Sequence, residues 1–293
     1  MVNLEKIIED TAVKMLQLAV TELPPDVMNA LKKARERETN ERAKKILDTL
    51  ITNAEIAKER RVPICQDTGL IIWYVKVGED FPIKSKLYEI LKNATIRATK
   101  EVPLRPNAVD PITEKNTGNN TGPHVPYINW EIVPGNELHL TVLPKGGGSE
   151  YWCRLYMIKP IEGLNGAIKC VLQTLKEAMG KPCPPLVIGV GIGGGADIAL
   201  KLAKKAILRP LDDMHPNPKV AELEQRVLNL ANKLGIGPMG LGGDTTCLGV
   251  KVEVAARHVA TYPVGIVIQC WAARRCSVII NKDGSVRYLT HKV

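Results

Sequence analysis

The stretch VPICQDTGL, residues 62–70, places a thiol, an amide, a carboxylate and a hydroxyl at consecutive positions. These groups belong to Cys65, Gln66, Asp67 and Thr68, and a glycine and an apolar run follow them. Binding residues concentrate in loops and at strand ends, where a rigid scaffold positions them. The thiol of Cys65 is therefore a candidate metal ligand or nucleophile, and core packing is the alternative.

Two further cysteines, among seven in the chain, occupy similar places. Cys183 lies in KPCPP, where the following prolines prevent a helix, and Cys270 ends the apolar run VGIVIQC. The absence of any C-x-x-C pair excludes zinc ribbons and dithiol redox motifs. Of the other cysteines, Cys170 lies on the apolar face of a helix and is expected in the core. Cys153 and Cys276 lie in strand-like runs and can be packing residues, and the role of Cys247 is ambiguous.

Three thiolates from distant segments would suit a [4Fe–4S] cluster with one open iron. Such clusters normally take four cysteines, so a missing ligand leaves a Lewis-acid site. The odd number of cysteines argues against a disulfide framework. Spacing alone leaves open the alternative that these are unrelated buried cysteines.

Three glycine runs could let the backbone approach an anion or an inorganic cluster: KGGG (145–148), GIGGG (191–195) and GLGGD (240–244). The alternative is tight packing of strand against helix, but three runs in one chain favour a ligand. GVGIGGG also contains the G-x-G-x-x-G pattern of dinucleotide sites. Such a site needs a second strand that ends in an acidic residue, and the prolines of RPLDDMHPNP (209–218) forbid a central strand there.

The elements that position these residues follow from hydrophobic periodicity. Helical spacing covers most of residues 1–61, 84–100, 164–179 and 219–234. Strand patterns cover LIIWYVKVG, ELHLTVL, 248–256 and 264–270, and a hairpin closes the chain, whereas residues 103–135 show the composition of a long functional loop. We predict one α+β catalytic domain over residues 1–293, with N-terminal helices followed by strands and helices around glycine-rich loops, and not a true Rossmann fold.

The composition limits the functional class. The apolar runs are too short to cross a bilayer, and the N-terminus MVNLEKIIED has no secretory pattern, so we expect a cytoplasmic protein without a membrane partner. The net charge of +9 comes from basic residues interleaved with acids, and aromatic residues are only 4%. This pattern argues against nucleic acid and is typical of a solvated charged surface. A positive field would also favour small anionic substrates or an acidic partner subunit.

Longer blocks carry a resemblance that spans almost the whole chain. They are PICQDTG (63–69), NTGNNTGPHVPYINWEIVPG (116–135), LPKGGGSE (143–150), CPPLVIGVGIGGGADIALKLAKKAILRPLD (183–212), LGIGPMGLGGDTTCLGVKVE (234–253) and HVATYPVGIVIQCWAARR (258–275). With these blocks the sequence resembles the α subunit, equivalently the N-terminal half, of the iron–sulfur class I fumarate hydratases and the related L-tartrate dehydratases.

The resemblance implies a cofactor and its ligands. Cys65, Cys183 and Cys270 look like the three ligands of a [4Fe–4S] cluster with one open iron. Gln66 and Asp67 resemble the pair that contacts substrate beside the first ligand. For Asp67, capping of the turn before its strand is the structural alternative.

Three more residues match positions of the family's site. Arg105 is similar to an arginine that pairs with a substrate carboxylate, Gly148 resembles a backbone contact to substrate, and His258 looks like an active-site histidine. A guanidinium fork suits bidentate carboxylate binding. The structural alternatives are a surface arginine and a satisfied core histidine.

The implied reaction is the reversible dehydration of a 2-hydroxydicarboxylate, (S)-malate to fumarate, with the open iron as Lewis acid. The alternative within the family is dehydration of L(+)-tartrate to oxaloacetate. Alternatives from other classes are a non-catalytic regulatory or assembly paralogue and a dinucleotide-binding oxidoreductase. The C-terminal half of the single-chain members is absent and by resemblance carries the proposed catalytic base. We therefore expect a separate β subunit, an α2β2 or larger heteromer, and no activity of this chain alone.

Overall fold

The computed structural model describes residues 3–293, which form two compact units. Unit 1 comprises the described residues up to Pro25 together with Asn53–Gly146 and Arg274–Val293. Unit 2 comprises Asp26–Thr52 and Gly147–Ala273. That these units act as one catalytic domain over residues 1–293 stays a prediction.

Three helices make up the N-terminal part, as the periodicity predicts: α1 Leu4–Thr21, α2 Pro25–Arg37 and α3 Glu41–Arg60. The side chain of Asn3 caps α1 by accepting the Lys6 N–H at 3.1 Å. Pro25 at the first position of α2 has no N–H, but an N–H at this position would have no hydrogen-bond partner within the helix. Within residues 3–293, no helix is long and apolar enough to cross a membrane.

Unit 1 is built on a five-stranded sheet in the order β2-β1-β3-β8-β9. Its elements are β1 Leu70–Gly78, α4 Leu87–Glu101, β2 Tyr127–Val133, β3 Glu137–Lys145, β8 Cys276–Asn281 and β9 Val286–Tyr288. Only β2 runs parallel to its neighbour β1. Leu138, Leu140 and Val142 of β3 are fully buried in one core with residues of α1 and α4. The alternation predicted for ELHLTVL is thereby confirmed.

The stretch 103–135 is only partly the loop that we predict from sequence. Its last third contains β2, which pairs along β1 from Ile72 with Tyr127 to Gly78 with Val133. β2 lies at the edge of the sheet, and Trp130 and Ile132 are 47% and 73% exposed. An edge strand need not alternate between buried and exposed residues, so the sequence pattern did not reveal it.

Unit 2 is built on a four-stranded sheet in the order β4-β7-β5-β6. Its elements are α5 Gly147–Glu150, β4 Arg154–Ile158, α6 Gly163–Ala178, β5 Leu186–Gly194, α7 Ala196–Ala206, α8 Pro218–Asn232, β6 Cys247–Arg257 and β7 Tyr262–Gln269. β5 and β6 are parallel, and β7 runs antiparallel to both β5 and β4. α6 and α8 share a core with one face of the sheet. α7 packs against β5 and β7.

The segment 209–218 contains no strand, so the argument against a Rossmann fold is confirmed. Its charged residues form an ion-pair network instead. Arg209 pairs with Asp213 at 2.8 Å and with Glu224 at 2.7 Å, and Lys251 reaches Asp213 at 2.8 Å. Burial opposes ionisation of Asp213, but hydrogen bonds from Arg209 and Lys251 hold its pKa below the usual value. Asp213 therefore belongs to an ion-pair network that stabilises unit 2.

Candidate active site

In unit 1, the turn between α3 and β1 carries the four adjacent polar groups. Cys65 and Asp67 are half-buried, Gln66 is exposed and Thr68 is buried. Asp67 Oδ1 accepts the N–H of Gly69 at 2.9 Å, which is the local geometry of an Asx turn. The capping alternative is thus correct for one carboxylate oxygen. It also fixes the orientation of the carboxylate.

The hydroxyl of Thr68 brings Arg105 to this turn. Thr68 Oγ1 accepts the main-chain N–H of Arg105 at 2.9 Å and donates to its carbonyl oxygen at 3.3 Å. A hydroxyl can fill both roles because it is donor and acceptor at once. The Arg105 side chain is exposed, and no ion pair engages it within residues 3–293. Thr68 therefore ties the main chain of Arg105 to the turn that carries Cys65 and Asp67.

In unit 2, Cys183 and Cys270 lie on neighbouring segments. The N–H of Trp271, the residue after Cys270, donates to the Cys183 carbonyl at 3.1 Å. Both cysteines are half-buried and outside regular elements, Cys183 just before β5 and Cys270 at the end of β7. The register of Val187 with Gln269 places both at the same end of the sheet. The structure thus brings together two of the three predicted ligands in this unit.

The remaining cysteines are placed differently. Cys170, Cys247 and Cys276 are buried, which confirms the core role of Cys170 and resolves the ambiguity of Cys247. Burial raises the pKa of the Cys170 and Cys247 thiols, and that of Cys276 to about 12. Protonated buried thiols are poor metal ligands. The half-buried Cys153 directs its sulfur to Glu150 Oε2 at 3.6 Å.

The half-buried thiols fit the donor chemistry of an iron–sulfur cluster, which takes soft thiolate ligands. Within residues 3–293 no group of three or more His, Cys, Asp or Glu side chains is arranged to hold a metal ion. What the structure shows is the neighbouring pair Cys183 and Cys270 in unit 2, and Cys65 in unit 1.

The glycine runs are mostly packing features, which corrects the preference for ligand approach. A methyl group on Gly191 would lie 2.0 Å from the Ala199 carbonyl oxygen of α7, and one on Gly243 would lie 2.6 Å from Ala43 Cβ. At Gly191 the close approach of the helix backbone requires glycine, and at Gly243 both the contact with Ala43 and the positive φ of 130° favour it. Gly148 differs, because it is exposed and a methyl group on it would meet nothing within 4 Å.

Gly148 lies at the cysteine end of unit 2. It belongs to α5, which precedes β4, and Arg154 of β4 pairs with Ile266 near the end of β7. Trp152 lies between Gly148 and Arg154 in the sequence. The Lys181 ammonium is 4.8 Å from the centroid of the Trp152 ring. The segment before Cys183 therefore contacts the residues that follow α5.

His258 lies at the other end of the same sheet. It is exposed in the turn between β6 and β7, and its Nδ1 accepts the Ala260 N–H at 3.1 Å. The eight residues of β7 separate this turn from Cys270, which corresponds to about 26 Å of extended strand. Unit 2 therefore does not bring His258 to Cys183 and Cys270, and it is not a core histidine either.

Sequence reasoning missed the residues that hold the turn in unit 1. Asn107 Nδ2 donates to the Gly69 carbonyl at 3.2 Å, and Asn120 Oδ1 accepts the Asn107 N–H at 2.7 Å. The buried Arg274 donates from Nη1 to the Asp67 carbonyl at 2.7 Å. The clustered asparagines of the long loop were a signal that could have indicated side chains bonded to backbone.

Known proteins with similar sequences cover nearly the whole chain. The chain is 46% identical over 283 residues to the putative L(+)-tartrate dehydratase subunit alpha of Methanocaldococcus jannaschii, covering 95% of this chain and 99% of that protein. It is 42% identical over 272 residues to the L(+)-tartrate dehydratase subunit alpha of Escherichia coli K12, covering 92% of this chain and 90% of that protein. The corresponding protein of Shigella boydii shows the same identity and coverage.

The family model for fumarate hydratase (Fumerase) matches residues 9–279. The matched region includes the turn in unit 1 that carries Cys65 and Asp67 and the two neighbouring cysteines of unit 2. Extensive identity to the tartrate dehydratase subunits is consistent with this match. The chain therefore belongs to the fumarate hydratase family and is an enzyme of the hydro-lyase class.

Proposed function

We propose that this chain is the α subunit of an iron–sulfur hydro-lyase that reversibly dehydrates a 2-hydroxydicarboxylate. The observation that carries the proposal is the hydroxyl of Thr68, which bonds to the main chain of Arg105 and so holds this residue, whose side chain is exposed, at the Cys65–Asp67 turn. A dicarboxylate substrate requires a carboxylate-binding cation beside the reacting carbon. Arg105 supplies this cation next to a thiol and a carboxylate.

The residues of this chain bind and orient the substrate. Arg105 binds one substrate carboxylate through its fork of donors. Gln66 and Asp67 face the reacting part of the molecule, and the Gly69 N–H holds the Asp67 carboxylate in its orientation. The exposed backbone of Gly148 offers an N–H to the negative charge that develops when a proton leaves the carbon beside a carboxylate.

We assign Cys65, Cys183 and Cys270 as the ligands of a [4Fe–4S] cluster, because all three are half-buried and lie in loops or just after a strand. Cys153 is also half-buried and lies just before β4, but its sulfur is directed to Glu150 Oε2 at 3.6 Å. When bound, the cluster supplies an open iron that acts as a Lewis acid. A role for His258 stays a prediction that the geometry of unit 2 does not support, since His258 and the two cysteines lie at opposite ends of the sheet.

A separate β subunit completes this enzyme in our proposal. The relatives in Methanocaldococcus and Escherichia are named as alpha subunits, which supports a partner chain. We expect the catalytic base on that partner and an α2β2 or larger heteromer. The chain alone should be inactive, and a cytoplasmic location stays a prediction.

(S)-Malate is the first substrate candidate, because the family match is to fumarate hydratase. L(+)-Tartrate is the second, because the similar relatives carry that name. The purified α and β chains, loaded with iron and sulfide without oxygen, should be assayed on malate, fumarate and both tartrate enantiomers. The substrate with the highest kcat/KM identifies the enzyme. Turnover by the α chain alone would contradict the need for a partner, and no turnover by the pair on any of these would refute the proposed function.

The role of Arg105 can be tested in the same assay. Arg105→Lys keeps the charge but loses the bidentate fork, so kcat/KM should fall about 10- to 100-fold, the range expected for a charge-assisted hydrogen bond. Arg287→Lys is the control, since Arg287 is an exposed arginine of the same unit. Equal kcat/KM for the two variants would show that Arg105 does not bind the substrate.

A further inference from the structure

Arg274 is a buried cation in unit 1 that the proposed function has not used. Arg274 is only 2% exposed, and arginine is almost never fully buried unless it is paired. Its Nη1 donates to the main-chain carbonyl of Asp67 at 2.7 Å. Its Nε is buried and finds no hydrogen-bond partner among residues 3–293. A charge buried at this cost needs an explanation beyond packing.

The side of Arg274 that faces the turn is closely packed. A methyl group on Gly146 would lie 3.5 Å from Arg274 Nη2 and 3.1 Å from Asp67 Oδ2. The guanidinium and the carboxylate therefore both lie against the backbone of Gly146. Gly146 is buried, and a side chain there would displace one of them by a few tenths of an ångström.

The bonds of the turn divide into two sets. The N–H of Gly69 and the amide of Asn107 lie around Asp67 Oδ1, at 2.9 and 3.4 Å. Arg274 Nη1 reaches the carbonyl oxygen of Asp67 with a charged donor, and such bonds are shorter and about twice as strong as neutral ones. Arg274 therefore fixes the backbone of the residue whose carboxylate should face the substrate.

We propose that Arg274 is a positioning residue for Asp67. It holds the backbone of the Cys65–Asp67 turn from the buried side, while Gly146 leaves room for the carboxylate and the guanidinium to lie side by side. This inference rests on the proposed function, in which Asp67 faces the substrate. A displacement of about 1 Å at such a group is enough to lower turnover about 100-fold.

The test uses the iron-loaded α–β enzyme and a matched pair of variants, Arg274→Lys and Arg275→Lys. Arg275 is the adjacent arginine, 3% exposed, and its charge acts on Cys276 and His291. Both variants should have a lower thermal midpoint of unfolding than the wild type and should bind the same amount of iron per chain as the wild type. Arg274→Lys should lower kcat per bound iron about 10-fold or more with KM within about 3-fold, because an interaction that orients a reacting group acts mainly on kcat. Arg275→Lys should keep kcat per iron within about 2-fold.

Gly146→Ala is an independent variant in case Arg274→Lys fails to fold. It leaves the guanidinium in place but presses on Asp67 Oδ2, so kcat per iron should fall about 3- to 10-fold at unchanged iron content. Normal kcat per iron in both Arg274→Lys and Gly146→Ala overturns the proposal. Equal losses of kcat in Arg274→Lys and Arg275→Lys overturn it as well, because they would reflect general loosening.

Amide hydrogen exchange separates this inference from the proposed function. The amides of Gly69 and Arg105 donate to Asp67 and Thr68, so Arg274→Lys should accelerate their exchange and Arg275→Lys should not. If the wild-type pair turns over none of the substrates, the proposed function fails, and this exchange difference alone decides whether Arg274 holds the turn. Unchanged exchange at both amides would refute the positioning role.

Discussion

The N–H of Trp271 donates to the carbonyl oxygen of Cys183 at 3.1 Å, so the segment after Cys270 is bonded directly to Cys183. Cys183 itself has a left-handed backbone, with φ +57°. That conformation costs a residue with a side chain about 1–2 kcal/mol, so surrounding contacts must hold it. The bond from Trp271 is one of these contacts, and it joins the main chain after Cys270 to that of Cys183, a segment distant in sequence.

The assignment of cluster ligands predicts a clear division among the cysteines. Serine in place of Cys65, Cys183 or Cys270 should each lose cluster iron and visible absorption after reconstitution without oxygen. Cys170→Ser and Cys153→Ser should retain both, since Cys170 is buried and Cys153 faces Glu150. Iron content and absorption per chain are the measurements. Full iron in any of the first three variants, or its loss in both controls, would contradict the assignment.

The glycines under α7 should matter for stability. Gly191→Ala places a methyl group 2.0 Å from a helix carbonyl oxygen, and such overpacking should lower the free energy of unfolding by about 1–3 kcal/mol or more. Gly148→Ala is the control and should change it by less than about 1 kcal/mol, because space there is open. Urea unfolding measures both.

NAD should not raise the thermal midpoint of the wild type, and a clear rise would revive the dinucleotide-binding alternative.

The ion-pair network of unit 2 should also contribute to stability. Arg209→Met removes one of the two basic partners of Asp213 and the arginine partner of the buried Glu224. This change should lower the free energy of unfolding by about 3 kcal/mol or more. Arg35→Met is the matched control, since the Arg35–Asp48 pair is about half exposed and such pairs contribute at most about 1 kcal/mol. Chemical denaturation compares the two. Equal losses would mean that the network has no special role.

Because His291 is buried, we expect the free energy of unfolding to decrease below neutral pH. Burial lowers the pKa of His291 below its ordinary 6.5, the charges of Arg275 and Lys58 lower it further, and Glu22 opposes the shift. The unfolded chain takes up the proton near pH 6.5, whereas the folded chain does so only at lower pH. Stability should therefore fall as the pH decreases through about 6.5 and be unaffected above about pH 7.5.

Urea unfolding at pH 8.0, 6.5 and 5.5 tests this prediction. His291→Asn should flatten the dependence on pH, whatever it does to absolute stability. His124→Asn is the control, since His124 is exposed and its positive φ of 58° suits asparagine. The same slope in the wild type and His291→Asn would show that His291 is not responsible.

Much of the fold could be predicted because it depends on local periodicity. The helices of residues 3–61, strand β3 and the closing hairpin all follow from the spacing of apolar and turn residues. β2 could not be predicted in this way, since it lies in a stretch rich in proline, glycine and asparagine, and Trp130 and Ile132 are exposed along it. Its hydrogen bonds to β1 depend on a neighbour that only the folded chain provides.

The same division applies to the candidate site. The residue types, the three candidate cysteines and the resemblance to the family follow from the sequence. The fold adds that Thr68 bonds to the main chain of Arg105, that the segments of Cys183 and Cys270 are neighbours, and that His258 lies at the far end of their sheet. It also decided that most of the glycine positions serve packing. The physical reason is that a motif specifies donors and acceptors, whereas strand direction and register decide which of them meet.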